Sequence, residues 1–250
     1  MVNNKQASHH GGLPTTLILD IPFSTLTFAE TVDWCTQRIE AKEATHVVTA
    51  NPEIVMMAQR NLSFRRILQE AEMVTPDGIG IVIAAKWRNQ PIYERVTGYD
   101  LFQALLQVGE TKGWSVFLLG ASPDANTGAE AKIKERFPGV RVVGRQHGYF
   151  PPEAEGRIVE RIQEAKPDLL VVAMGAPRQE EWIARYREEL PPMLMIGLGG
   201  SLDVMAGKVK RAPQWVQSIH MEWLYRLLKQ PSRWKRMLDL PRFLYHAWKE

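Results

Sequence analysis

The chain has 250 residues, 45% of them hydrophobic, with 31 lysines and arginines against 28 aspartates and glutamates. That is enough for one large domain, or for one domain with an appendage. Cys35 is the single cysteine, which excludes an intramolecular disulfide and fits a reducing cytoplasm. No run of 18 or more uncharged apolar residues occurs, so membrane contact, if any, is expected to be peripheral.

The polar stretch from Met1 to Gly12 is expected to be a disordered tail, and its adjacent His9 and His10 do not make a metal site. Thr16 to Ile21 reads as a strand. Thr27 to Lys42 reads as a helix whose apolar side carries Val32, Cys35 and Ile39, a packing position for the cysteine. A strand over His46 to Thr49, a helix over Pro52 to Glu70, a strand over Met73 to Thr75 and helices over Gly80 to Trp87 and Tyr99 to Lys112 follow. Strands are then expected at Ser115 to Leu119, Arg141 to Val143, Leu169 to Met174 and Met193 to Leu198. Helices over Pro123 to Phe137, Pro152 to Ala165 and Pro177 to Leu190 separate them. The leading prolines suit first-turn positions, where a missing N–H costs nothing. Alternation of this kind predicts an α/β fold, a Rossmann-like, mainly parallel sheet sandwiched by helices, over residues 13–204. The unbroken apolar run at Leu169 to Met174 suits a strand covered on both faces.

In such sheets ligands bind beyond the carboxyl ends of the strands. Five of those ends carry small, polar or Gly-Pro chemistry, beginning at Thr49, Thr75, Gly120, Gly175 and Gly197. Asp77, between Pro76 and Gly78-Ile79-Gly80, offers a carboxylate where glycines permit a tight bend and a close ligand approach. It could act as a general base, a metal ligand or an N-cap. Gly120-Ala121-Ser122 ends a strand and opens a helix, so its amides could receive a phosphate. Gln179, beside Gly175-Ala176-Pro177-Arg178, supplies the donor and acceptor that uracil or a sugar hydroxyl requires, or else a solvated first turn. Asp203 could bond a sugar hydroxyl or cap a turn. The sequence contains no GxGxxG, GxxxxGK[ST], HExxH, CxxC or GxSxG, which removes the commonest dinucleotide, triphosphatase, zinc and serine-hydrolase readings.

From Met205 to Glu250 the chain changes character. Ten basic residues stand there against Glu222, Asp239 and Glu250, while the rest carries 21 basic against 25 acidic. Trp215, Trp223, Trp234 and Trp248, half the tryptophans, lie in the same segment. Cations with interfacial aromatics suit anionic lipid or phosphate. Val216, Ile219, Trp223 and Leu227 recur at helical spacing, and a second stripe with Trp234, Met237, Leu238 and Leu244 follows Pro231. Residues 205–250 are therefore expected to form a basic helical appendage.

Taken together, the ordered motifs resemble the WecG/TagA/CpsF family of bacterial glycosyltransferases from about Leu17 to Arg236. The carriers are Thr49-Ala50-Asn51-Pro52-Glu53, Pro76 to Gly80, Glu94 to Asp100, Gly175 to Glu180, Gly197 to Asp203, Gly207 to Pro213 and Glu222 to Arg226. The chain departs from the family pattern in carrying Leu202 where an aromatic is expected before the aspartate, which bears on the local pocket wall. The resemblance implies a metal-independent inverting transferase with no cofactor. It would move N-acetylmannosamine from a UDP-sugar donor onto N-acetylglucosamine on a polyprenyl diphosphate, as in the linkage unit of wall teichoic acid. A uronic acid form of the same sugar is the alternative donor. By resemblance Asp77 takes the base role, with Thr49 and Asn51 lining its pocket. Arg95, Gln179 and Asp203 would contact donor or acceptor, and Arg226, Arg233 and Arg236 would close over the diphosphate.

Inversion in one displacement needs a carboxylate to take the acceptor hydroxyl's proton. Arginine forks match the diphosphate that leaves. The implied partners are the UDP-sugar, the lipid-linked acceptor and the anionic inner face of the cell membrane, with no nucleic acid; a homo-oligomer is compatible. Two rivals are a nucleotide-dependent oxidoreductase, which lacks its glycine fingerprint here, and a membrane-binding adaptor, which leaves the polar strand ends without a purpose.

Overall fold

A computed structural model describes residues 8–10, 12–218, 221–229 and 238–249. The strands are β1 (Ser8–His10), β2 (Leu13–Ile18), β3 (Ile21–Ser24), β4 (Thr45–Ala50), β5 (Met73–Pro76), β6 (Ser115–Gly120), β7 (Arg141–Gln146), β8 (Leu169–Ala173) and β9 (Leu194–Gly197). The helices of the body are α1 (Phe28–Glu40), α2 (Pro52–Arg60), α3 (Leu62–Glu70), α4 (Ile79–Trp87), α5 (Gly98–Lys112), α6 (Pro123–Arg136), α7 (Glu155–Ala165), α8 (Arg178–Tyr186) and α9 (Ser201–Met205). Beyond them lie α10 (Gln214–Ser218), α11 (Glu222–Lys229) and α12 (Asp239–Lys249).

All the described strands join one sheet in the order β1-β2-β3-β5-β4-β9-β8-β6-β7. The β1-β2 and β2-β3 pairs are antiparallel, and every pair from β3 onward is parallel. The expected mainly parallel α/β sandwich is what forms. Alternate strand residues feed opposite faces. Val47, Val116, Leu118, Leu169, Val171 and Ile196 join one core with α1, α5, α6 and α9. Val48, Ala50 and Val74 join a second core with α2, α3 and α4, while Leu170, Val172 and Met195 join a third with α7 and α8. Fully apolar strands buried on both sides follow from this layering.

Local signals account for most boundaries. Thr27 caps α1 in a reciprocal box with Glu30, whose carboxylate accepts from the Thr27 N–H at 2.8 Å. Pro52 and Pro123 occupy first turns, and Gly113 ends α5 in the left-handed region. Cys35 is fully buried on α1, and burial pushes its thiol up to about 12, which suits packing rather than nucleophilic work.

Three expectations change. The strand read over Thr16 to Ile21 is two strands of a hairpin, turned at Leu19 and Asp20 with φ of 49° and 61°. Paired positive φ angles match the twist of adjacent strands, but the residues that usually advertise such a turn are asparagine and glycine. The single helix read over Pro52 to Glu70 is two, because Asn61 leaves helical geometry and its side chain accepts from the Phe64 N–H at 3.1 Å. Ser8–His10, read as part of a disordered tail, pairs with β2 after a turn at Gly12 (φ 79°).

The basic C-terminal segment does not stand apart from the body. On α12, Phe243 and Ala247 are buried in the core shared with α2, α3 and α4, and Arg60 pairs with Asp239. The apolar stripe read over Val216 to Leu227 is split between α10 and α11, while Ile219, Pro231, Trp234 and Met237 lie outside the described residues. Phe243→Ala should therefore cost about 3–5 kcal/mol, read from the denaturant midpoint, as expected for a fully buried aromatic. A loss below about 1 kcal/mol would mean that α12 contributes nothing to the core.

Candidate active site

β4 and β9 are neighbours, yet α2, which follows β4, packs on one face, and α9, which follows β9, packs on the other. A crevice opens where successive helices leave to opposite sides. It holds a cavity of about 300 Å³, the lower end of the range for small-molecule sites. Its wall is built from the ends of β4, β5, β8 and β9 with the segments that follow them, the start of α5, and residues of α11 and α12.

Asp77 lies at the centre of the motif after β5. Its backbone N–H donates to Ala50 and Thr75 carbonyls, each at 3.0 Å, and its Oδ2 accepts from the Gly98 N–H at 3.1 Å. It does not cap the helix that follows it. Gly78, with φ 120°, takes that place without a side-chain bond, and the Asp77 carboxylate instead meets the first residue of α5. Gly80 has no room for a side chain, since a Cβ there would lie 2.7 Å from Pro52 and 2.9 Å from Leu240. Both glycines of the motif are thus required by geometry.

Thr49 and Asn51 also line the cavity. The Thr49 hydroxyl donates to the Gly197 carbonyl at 3.0 Å, tying β4 to β9. Asn51 caps α2, accepting from the Ile54 N–H at 3.0 Å. Gly98 packs so closely on Thr49 and Leu198 that a Cβ would come within 2.9 Å and 3.1 Å of them.

Arg95 faces the cavity with Tyr99, Arg211, Glu222 and Trp223. Glu222 accepts from Arg95 at 2.5 Å through Oε2 and from Arg211 at 3.2 Å through Oε1. Arg211 also grips Asp100 with both terminal nitrogens, at 2.5 and 2.8 Å, and stacks over the Tyr99 ring at 5.2 Å. Burial works to raise the Asp100 carboxyl, but hydrogen bonds from Arg211 and Thr97 outweigh it and hold it below the usual range. Glu222 behaves alike: burial opposes and Arg95 then Arg211 prevail. The Asp100 hydrogen bond raises Arg211 above its already high value.

Gln179 lines the cavity, but its polar atoms are turned into the protein. Its Oε1 accepts from the N–H groups of Gly175 at 3.1 Å and Gly199 at 2.9 Å, and its Nε2 donates to Glu180 at 2.7 Å. It clamps the two glycine turns after β8 and β9. Glu180 beneath it is fully buried with Oε2 lacking a partner among the described residues. Burial pushes its carboxyl up to about 7.

Other expected site residues fall elsewhere. Gly120, Ala121 and Ser122 do not reach the cavity, because β6 is separated from β9 by β8. Gly120 has φ 123° and a Cβ there would collide with the Ala173 carbonyl, the Ala121 N–H donates to that carbonyl at 2.7 Å, and Ser122 caps α6. These residues shape a turn. Asp203 is on α9 but outside the cavity lining, its carboxyl raised by burial. Leu202 is fully buried in the core with α5 and α6, so its departure from the family pattern does not touch the pocket wall. Arg226 falls on α11 with its side chain outside the described set, and Arg233 and Arg236 lie outside the described residues. Tyr99, Arg211, Glu222, Trp223 and Leu240 also line the cavity, with no site role legible for them in the sequence. All but Leu240 lay within or beside motifs already noted, which was the available signal.

The fold and cavity together define an α/β protein with a switch-point cavity of small-molecule size, lined by both carboxylates and guanidinium groups. Residues 16–250 match the glycosyl transferase WecG/TagA/CpsF family, and the chain belongs to that family. It is 39% identical over 209 residues to an N-acetylglucosaminyldiphosphoundecaprenol N-acetyl-beta-D-mannosaminyltransferase of Bacillus spizizenii (strain ATCC 23059 / NRRL B-14472 / W23), covering 84% of this chain and 80% of that one. A protein of the same name from Bacillus subtilis (strain 168) is 36% identical over 239 residues, 95% of this chain and 93% of that one. Another, from Staphylococcus aureus (strain MRSA252), is 37% identical over 199 residues, 80% and 78% respectively.

Glu180 gives a stability test with a definite sign. Its folded value near 7 exceeds the ordinary 4.5, so the stability it contributes is full below about 4.5 and is lost as pH rises through 7. The melting temperature of the parent should therefore fall more between pH 5 and 8 than that of Glu180→Gln. Parallel pH profiles for the two proteins would show that Glu180 does not titrate in that window.

Proposed function

We propose that this chain is an inverting glycosyltransferase that moves N-acetylmannosamine from a UDP donor to N-acetylglucosamine on a polyprenyl diphosphate, in synthesis of a wall teichoic acid linkage unit. The observation that carries the reading is Asp77, a carboxylate set in the cavity wall by the Gly98 N–H, with Thr49 and Asn51 beside it. The family match and the names of the relatives support the glycosyl transfer, the transferred sugar and the lipid-linked acceptor. Those names favour N-acetylmannosamine over its uronic acid.

In this reading Asp77 takes the proton from the acceptor hydroxyl as that oxygen attacks the anomeric carbon and the bond to UDP breaks. Negative charge grows on the departing diphosphate. Arg95 and Arg211 are the described cations at the cavity, with Arg226, Arg233 and Arg236 as further candidates from the family pattern. Fixed donors in a sheltered site need little rearrangement as charge develops. Gln179 serves by holding the Gly175 and Gly199 turns rather than by touching substrate.

Among the described residues no helix is long and apolar enough to cross a membrane. Peripheral attachment to the cytoplasmic face is part of the proposal. Exposed Tyr245 and Trp248, the latter 70% exposed, share α12 with Lys249 and support it. Binding to vesicles containing anionic lipid should fall as salt rises, and binding indifferent to salt would remove the electrostatic part.

The direct test is UDP release from UDP-N-acetylmannosamine with a lipid-diphosphate acceptor. Asp77→Asn should lose ~10²–10⁴-fold in rate while still folding and binding UDP. Turnover within about threefold of the parent would take Asp77 out of the chemistry. The parent should remain active in EDTA, because the sequence has no Asp-x-Asp pair and the described residues offer no cluster of three metal-ligating side chains. Loss in EDTA restored by Mg²⁺ or Mn²⁺ would overturn metal independence.

A further inference from the structure

Arg95, Arg211 and Glu222 in the cavity wall and Asp100 behind Arg211 form one cluster of two arginines and two carboxylates whose charges cancel. Arg211 is held independently of Glu222, by the two-pronged contact to Asp100 and the Tyr99 ring. Arg95 is not. Among the described residues its ion pair is with Glu222, and the two side chains are 18% and 14% exposed. Glu222 places one oxygen on each arginine, as adjacent phosphoryl oxygens would, and it opens α11, the helix that carries Arg226.

We propose that Glu222 is an internal stand-in for an anionic ligand group: it neutralises Arg95 in the empty cavity and must give way when a diphosphate binds. The argument is one of charge. A diphosphate entering beside a charge-balanced cluster gains little, whereas one that displaces Glu222 takes over a pre-positioned guanidinium fork. The carboxylate meanwhile spares Arg95 the cost of being half-buried without a partner. α11 is thereby docked across the cavity when empty and released at its first residue when the ligand arrives. This inference rests on the donor reading for the identity of the ligand, though not for the presence of an anion.

The test measures binding of UDP and of inorganic pyrophosphate to the full chain by calorimetry. Glu222→Gln removes the competing charge and keeps the shape, so both ligands should bind about 3- to 10-fold more tightly than to the parent, the scale of one charge interaction at a partly exposed site. Glu222→Asp keeps the charge with a shorter reach and should gain less. In an Arg95→Gln background the gain from Glu222→Gln should vanish, since the contested cation is gone. Equal or weaker binding by Glu222→Gln, with the melting transition intact, would overturn the proposal and make Glu222 a structural tie. Should Glu222→Gln fail to fold, Glu222→Asp decides, because binding no tighter than the parent's contradicts displacement. Tighter pyrophosphate binding with no UDP binding to any variant would leave the stand-in role standing and sink the donor reading instead. Binding of neither ligand to any variant would sink both.

Discussion

The site depends on how closely the start of α5 approaches the sheet. At Gly98 there is no space for a Cβ between Thr49 and Leu198, and the Gly98 N–H is taken by Asp77. This contact joins the ends of β4, β5 and β9 to one helix N-terminus. Thr97 caps that helix and bonds Asp100, which fixes where Arg211 can sit. Arg95 precedes the cap by two residues and so faces the same cavity. Move α5 outward by the width of a methyl group and the carboxylate, the arginines and the Tyr99 ring all lose their register.

Charge follows the same logic. The basic segment read as an appendage meets the body through its own acids, Glu222 pairing with the body's Arg95 as well as with Arg211, and Asp239 with the body's Arg60. Two of its three acids are therefore the residues that dock it. A segment with net positive charge can lie against a cavity lined by arginines only if such carboxylates separate the cations. What stays outward on α12 is aromatic and cationic, Tyr245, Trp248 and Lys249.

Much of the architecture was legible because it is local. The βα alternation, first-turn prolines and polar strand ends are periodic or punctuated signals, and they located β4, β5, β8 and β9 and the motifs after them. Asp77, Thr49, Asn51 and Arg95 line one cavity. What was missed is long-range or masked by unusual chemistry. The Arg95–Glu222 and Arg211–Asp100 pairs span more than 100 residues of chain, and no spacing rule connects them. Gly120-Ala121-Ser122 carries the same strand-end grammar as the cavity wall, and only strand order separates it from the cavity. Gln179 offered donor and acceptor groups on paper, both of which the protein consumes itself. The Leu19-Asp20 turn has no glycine to announce it.

A crystal structure of the chain with UDP bound tests the central claim most directly, that the crevice between β4 and β9 is the site of the anionic substrate. The account predicts the diphosphate in that crevice, within hydrogen-bonding reach of Arg95, with Asp77 facing the position of the transferred sugar. UDP found instead at the end of β6, against Gly120 and Ser122, would contradict it.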